Sequence, residues 1–335
     1  MKLTVDDIAE EKSGSGKHGI EKKDYYFASS SGMCRIHAAV WYPDAQKYKK
    51  PLGVVQIAHG MIDHIERFDE LACYLADRGF VVAGNDHLGH GDSVNSKDDW
   101  GYFAAGRNSA QYLVKDMFRL TRIMQKKYPG LPYALIGHSM GSYMARRYMM
   151  SYGDELDAAV ILGTGNQSRL VVDAGLAAAR LTERLRGERY RSALLNKMMF
   201  GKFNSRIASP NTASDWLTRR EDIVKEYVDD EKCSYIFTAN AYEGLLQVIK
   251  YVIQEKNIRK TPKELPLLIA SGAEDPVGDY GKAVERLYRK YQKYLDDVEL
   301  RLYEECRHEL HSEINAQEIF GDIYGWLSQR LKTAE

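Results

Sequence analysis

Ser139 is the centre of the chemistry this 335-residue chain offers. In Gly137-His138-Ser139-Met140-Gly141 a short apolar run, residues 133–138, leads into the serine, and a helix-like run, 139–152, leads away from it. A Gly-x-Ser-x-Gly set between a strand and a helix forms a turn sharp enough to expose and strain the serine, while the flanking glycines keep side chains clear. The following helix aims its first N–H groups and its dipole at the same place, favouring negative charge that develops there. Ser139 is the expected nucleophile.

A serine hydroxyl needs a base, and the base needs a third group to orient it. In the chain order serine, acid, histidine, each partner sits beyond a later sheet strand. The stretch 265–279, LPLLIASGAEDPVGD, offers Glu274, Asp275 and Asp279. Asp275 is favoured because the apolar run ends near Ser271 and Pro276 stiffens the turn after it; Glu274 and Asp279 read as solvated loop acids. The next run, 297–303, leads to EECRHELHSE, where two of the nine histidines stand in the expected place. His308, nearer the strand end, is the expected base, and His311, one helical turn on, reads as a packed or helix-start residue. His138 adjoins Ser139 in sequence and should point away from the hydroxyl.

A tetrahedral intermediate also needs N–H donors for its oxyanion. The backbone N–H groups of Met140 and of Met61, the latter in the His59-Gly60-Met61 turn beyond the run 52–58, are the expected pair, with Gly60 letting the backbone approach the reacting carbonyl. His59 reads as a hydrogen bonder that fixes this loop. Asp86, His87, His90 and Asp92 crowd the loop NDHLGHGDS, but a histidine pair on a Gly-rich loop is a weak metal signature beside the usual three or four zinc ligands with outer support. The loop is expected to shape the edge of the site, and neither metal nor cofactor is expected. Gly14-Ser15-Gly16-Lys17 lacks the first glycine, the following Ser/Thr and the preceding strand of a phosphate-binding loop.

Those residues need a scaffold. The stretches 22–30 and 33–42 around Ser31-Gly32 read as a hairpin, and 52–58, 80–86, 133–138, 157–163, 265–271 and 297–303 as further short strands. Amphipathic stretches at 65–78, 108–127, 139–152, 279–293 and 315–331 alternate with them, which predicts an α/β fold with a mostly parallel sheet and helices on both faces. The alternation stops between Gly163 and about Pro262, where helical patterns rich in Arg, Met and aromatic residues stand alone. The expected organisation is a flexible lead-in over 1–22, a core made of 23–163 and 263–335, and a helical cap inserted over 164–262, above the edge of the sheet where ligands bind.

Lys+Arg and Asp+Glu balance at 47 each, so the chain has no overall basic field for nucleic acid, and none is expected as a partner. Cys34, Cys73, Cys233 and Cys306 are scattered without Cys-x-x-Cys spacing, which fits reduced thiols in a cytoplasm. The acidic first residues do not resemble a signal peptide, and no stretch approaches the roughly 20 apolar residues of a membrane span.

HGMIDH, NDHLGHGDS, GHSMG, GAEDPVGD and RHELHSE occur in the order found in the monoacylglycerol lipase and lysophospholipase-like branch of the α/β-hydrolases, also labelled serine aminopeptidase-like, and the chain resembles that branch from about residue 25 onward. The cap segment NTASDWLTRREDIVKEYVDD is similar to that of bacterial members. Leu88, Asp63 and the run Leu310-His311-Ser312-Glu313 depart from the common pattern, which has Arg, Glu, and two apolar residues before Asn-Glu at those places. The resemblance implies an esterase or lipase acting through Ser139, Asp275 and His308, with the Met61 and Met140 N–H groups as oxyanion hole, a small-molecule acyl ester as substrate, and a cap that forms an acyl tunnel. Leu176, Leu181, Leu185, Met198, Met199, Phe200 and Phe203 are the expected acyl-channel or lipid-facing residues, with Arg180, Arg184, Arg186, Arg189 and Arg191 toward anionic head groups. The alternative is a helix pair that packs its apolar stripe on the core and solvates its arginines.

Overall fold

Apolar runs of five or six residues become strands here because both of their faces are covered. The computed structural model describes residues 9–331. Nine strands form one sheet: β1 (Ala9–Ser15), β2 (Glu21–Ala28), β3 (Arg35–Tyr42), β4 (Gly53–Ala58), β5 (Phe80–Asn85), β6 (Tyr133–His138), β7 (Ala158–Leu162), β8 (Leu267–Gly272) and β9 (Val298–Tyr303). Their spatial order is β1-β2-β3-β5-β4-β6-β7-β8-β9. β1, β2 and β3 run antiparallel to their neighbours, and the six from β5 to β9 are parallel. The chain therefore has the α/β-hydrolase architecture, with β4 followed by β5 on one side and β6 on the other, the reversal at which such sheets bind ligands.

The helices are α1 (Asp69–Asp77), α2 (Gln111–Lys127), α3 (Met140–Tyr152), α4 (Arg169–Arg186), α5 (Ala193–Phe200), α6 (Glu221–Asp229), α7 (Ala239–Val252), α8 (Glu255–Ile258), α9 (Lys282–Tyr291) and α10 (Ala316–Arg330). Side chains alternate across each strand, so β6 sends Leu135 into a core built with α2, α3, α7 and α9, and Ala134 and Ile136 into a second core closed by α1 and α10. Trp326 and Phe320 of α10 are fully buried in that second core. Between β7 and β8 the described residues contain α4 to α8 and no strand of the sheet.

The lead-in is a departure from the sequence reading. Residues 1–8 lie outside the described part, but Ala9–Ser15 pairs antiparallel with β2 as an edge strand, from Ala9 opposite Tyr26 to Ser15 opposite Glu21. The segment after it is tied to α1: the Lys17 N–H donates to Asp69 Oδ2 at 2.9 Å, and a Cβ on Gly16 would come within 2.7 Å of Cys73 Sγ. Backbone pairing at a sheet edge needs no apolar pattern, so a polar sequence can join there.

Candidate active site

The parallel strands β6, β7, β8 and β9 end together, and Ser139, Gly163, Asp275 and His308 follow them at that one edge. Ser139 has φ 52° and ψ −118°, a conformation that costs a non-glycine residue about 1–3 kcal/mol. It is held by its own N–H, which donates to Leu162 O at 3.0 Å. The flanking glycines are required by crowding: a Cβ on Gly137 would lie 2.5 Å from Gly141 O, and one on Gly141 only 2.1 Å from Ala58 O.

Asp275 is wholly buried and accepts from three donors. The Val277 N–H reaches Oδ1 at 2.8 Å, and Ser271 Oγ and His308 Nδ1 reach Oδ2 at 3.1 and 3.0 Å. A carboxylate on Nδ1 sets that nitrogen as the donor, so the other, Nε2, is left as an acceptor; it is buried and has no partner among the described residues. Glu274 is exposed and Asp279 pairs with Arg286 at the surface, so neither takes that place. His311 stacks on Phe68 at 4.1 Å instead, and burial lowers its pKa to about 4. His138 turns to the same buried layer: its Nε2 lies 3.3 Å from His308 O, and burial followed by the neighbouring His308 and His311 keeps it neutral.

The segment carrying Met61 is fixed from two sides. His59 Nε2 accepts the His87 N–H at 2.8 Å, which makes Nδ1 the donor to Gly60 O at 2.8 Å. Burial lowers the His59 pKa, in keeping with this neutral tautomer. Asp63 Oδ2 accepts the Gly60 N–H at 3.1 Å. A Cβ on Gly60 would stand 3.3 Å from the Cβ of Ser139, so this backbone lies against the serine. Met140 is the first residue of α3, and its N–H has no acceptor within the helix.

The loop NDHLGHGDS is organised around the Asp86 carboxylate, which accepts from the Ile65 and Asp92 N–H groups and His37 Nδ1. Gly91 has no room for a Cβ, which would fall 2.2 Å from Asp86 Oδ2. His87 and His90 turn their rings toward His59 rather than joining Asp86.

Sequence reasoning missed two sets of residues. The first is Trp216, between α5 and α6. Its ring lies 4.8 Å from that of His308, it carries Phe203 and Phe200 behind it, and its carbonyl accepts the His308 N–H at 3.4 Å. The second is Arg67, which joins Asp63 to Glu309. Neither carries a local signal, since each contact spans distant segments.

Of the expected acyl-contact residues, Leu176 is buried, Met198 and Met199 line an apolar pocket of about 130 Å³ with Leu195 and Tyr242, and Leu181 and Leu185 are 57% and 69% exposed. The arginines are only partly free for head groups. Arg180 pairs with Glu243, Arg189 with Asp99, and Arg191 donates to Asp98 O.

The family model described as serine aminopeptidase, S33, matches residues 49–315. The chain is 26% identical to a monoacylglycerol lipase of Mycolicibacterium smegmatis, over 92% of this chain and 98% of that protein. It is also 26% identical to a monoglyceride lipase of Homo sapiens, over 86% and 88%. Among solved structures, a highly thermostable carboxyl esterase from Bacillus coagulans in complex with glycerol superimposes with a TM-score of 0.85 at 25% identity, covering 92% of this chain and 99% of that one.

Proposed function

The chain belongs to the serine aminopeptidase S33 family of α/β-hydrolases and is a carboxylic ester hydrolase, and from that premise we propose that Ser139, His308 and Asp275 are its catalytic triad and single-chain acyl esters its substrates. The observation that carries the reading is the Asp275–His308 hydrogen bond at 3.0 Å on a ring whose other nitrogen is buried and free. In this mechanism Ser139 attacks the ester carbonyl, His308 Nε2 takes its proton and returns it to the leaving alcohol, and Asp275 holds the tautomer and steadies the imidazolium. The Met61 and Met140 N–H groups receive the oxyanion, a role worth about 10²- to 10³-fold in rate per donor. Water activated by His308 then releases the acid.

The helical segment 164–262 acts as the cap, with the acyl chain in the apolar pocket beside Met198 and Met199. The names of the mycobacterial and human relatives favour monoacylglycerols, with lysophospholipids as the neighbouring class. Leu170, Val171, Leu181, Leu185 and Met198 stand exposed on α4 and α5, which supports a transient contact with a lipid surface. All four cysteines are free, which favours a reducing compartment such as the cytoplasm. No helix among the described residues is long and apolar enough to cross a membrane.

Amide hydrolysis is the second reading, because the family description names an aminopeptidase. A substrate amine would need a cluster of carboxylates in the cap; in the acidic run 226–231, Asp230 is already held by the buried His64, and Asp229 and Glu231 stand at the surface in exposed pairs with Lys225 and Lys97. Labelling by a fluorophosphonate probe, lost in Ser139→Ala, tests the triad, and a folded but unlabelled wild type sinks it. Monoacylglycerols, lysophospholipids and aminoacyl p-nitroanilides compared side by side test the substrate class; faster anilide turnover sinks the ester reading.

A further inference from the structure

Between the loop after β7, the turn from α7 into α8, and helix α9 lies a cleft of about 740 Å³. Its lining includes five cations, Arg169, Arg286, Arg289, Lys290 and Lys293, against one carboxylate, Glu255. Four of the cations have an acid nearby, but these pairs are long and exposed, from 3.3 Å for Arg286–Asp279 to 3.7 Å for Arg289–Glu285 and Lys293–Glu255. Pairs of that kind are weak and leave the side chains free to take a better partner.

Lys290 differs from the others. It is half-buried, has no carboxylate at ion-pair distance among the described residues, and its Nζ reaches only the neutral Oδ1 of Asn166, at 3.3 Å. Near it the Arg146 guanidinium is fully buried and donates to the backbone carbonyls of Gly165 and Val252, at 2.9 and 3.2 Å. Burial, followed by Arg146, lowers the Lys290 pKa. Lys290 in the lining and Arg146 behind it therefore place positive charge at the cleft that no carboxylate meets at ion-pair distance among the described residues, Glu255 acting on Lys290 only from further off. The positive end of the 18-residue helix α4 adds to it.

We propose that this cleft binds a small anion bearing phosphate groups, with Lys290 at its floor and Arg286, Arg289 and Lys293 along its wall. Two arginine forks within reach of a lysine point charge suit phosphate oxygens better than a single carboxylate. The balanced charge of the whole chain gives no broad basic field for a nucleic acid, and a cleft of about 740 Å³ suits a small molecule. A free phosphorylated metabolite and the phosphorylated head group of a lipid substrate share this chemistry. The site goes beyond the triad reading and stands apart from it, because its occupancy is read by binding rather than by turnover.

The test is isothermal titration of the full chain with tripolyphosphate and with inorganic phosphate, for wild type, Lys290→Gln and the exposed pair Arg286→Gln/Arg289→Gln, with Arg122→Gln as a remote control. Circular dichroism reports that each variant is folded. The expected result is saturable binding of one tripolyphosphate per chain, weaker at high salt, and weakened about tenfold or more by either cleft variant but not by the control. Equal affinity in all four proteins, or no saturable binding of either anion by wild type, overturns the proposal. A second arm compares lysophosphatidic acid with a monoacylglycerol of the same acyl chain. A rise in KM for the phosphorylated substrate alone in Lys290→Gln assigns the cleft to a lipid head group, whereas unchanged KM with tripolyphosphate binding lost assigns it to a free anion.

Discussion

Arg67 donates from both of its Nη atoms to the two carboxylate oxygens of Glu309, at 2.8 and 2.7 Å, and from Nη1 to Asp63 Oδ1 at 3.0 Å. One guanidinium thus links the segment that leads to Met61, through the Asp63 bond to the Gly60 N–H, with the residue that follows His308. Burial opposes charge on Arg67, but Glu309 and Asp63 outweigh it and raise its pKa well above the ordinary value. Removing one partner of a buried ion pair costs about 3–5 kcal/mol, because the other charges stay buried. Arg67→Met is expected to lose stability on that scale and to lower kcat on a short p-nitrophenyl ester. Arg67→Lys keeps the charge but not the fork, and should fall between. Denaturant titration with kcat measured in parallel checks this, and a fully stable, fully active Arg67→Met would show the bridge to be idle.

Asp275→Asn should lower kcat about 10⁴-fold, since an amide cannot hold the productive His308 tautomer. Glu274→Gln and Asp279→Asn should stay near wild type, because neither carboxylate reaches the ring. Steady-state rates on p-nitrophenyl butyrate separate the three, and a similar loss in all of them would remove the special role of Asp275.

Gly141→Ala should abolish the turn rather than perturb it. The new methyl would stand 2.1 Å from the carbonyl oxygen of Ala58, a backbone atom that cannot swing aside. Overpacking costs about 1–3 kcal/mol where side chains can adjust, and here the strand end itself must move. The expected outcome is a much slower reaction with a fluorophosphonate probe, measured at a temperature where the variant is folded.

His37 donates to Asp86 at 2.9 Å and lies 3.4 Å from Asp24 through its other nitrogen. Burial works against its charge, yet the hydrogen bonds to Asp24 and Asp86 prevail and raise its pKa to about 10. The ordinary value is about 6.5. A raised folded pKa contributes stability that is complete below the unfolded value and is lost as pH rises through the folded one. The Tm gap between wild type and His37→Gln should therefore be widest near pH 6 and shrink toward pH 10; a gap that widens with pH contradicts a charged His37.

Leu181→Ser with Leu185→Ser should reduce cosedimentation with phospholipid vesicles while leaving hydrolysis of a soluble short-chain ester unchanged. Both side chains are exposed, so stability should move by no more than about 0.5 kcal/mol. Vesicle binding equal to wild type would move the lipid contact elsewhere.

Trp216 and Arg67 show where sequence reading stops. The strands at 52–58, 80–86, 133–138, 157–163 and 265–271 are legible because a strand covered on both faces is mostly apolar, whereas the edge strand at 297–303 alternates Val298, Leu300 and Leu302 with Glu299 and Arg301. Ser139, Asp275 and His308 stand out as candidates because each follows such a strand closely. Trp216 meets His308 across 92 positions and Arg67 meets Glu309 across 242. No periodicity records a pairing of that kind. The edge strand Ala9–Ser15 escaped for a related reason, since it is held by backbone bonds to β2 that its polar side chains do not announce.

The sequence by itself determined the elements, their order, and which serine, acid and histidine stand at strand ends, because hydrophobic period and turn chemistry act over a few residues. The tertiary structure alone decided that Asp275 meets His308 and not His311, that Arg180, Arg189 and Arg191 are tied to neighbouring groups, and that five cations from α4, α9 and the turn after α9 share one cleft. Those outcomes depend on which surfaces come together when the sheet closes its two cores, and a hydrogen bond or an uncompensated charge exists only once both sides have arrived.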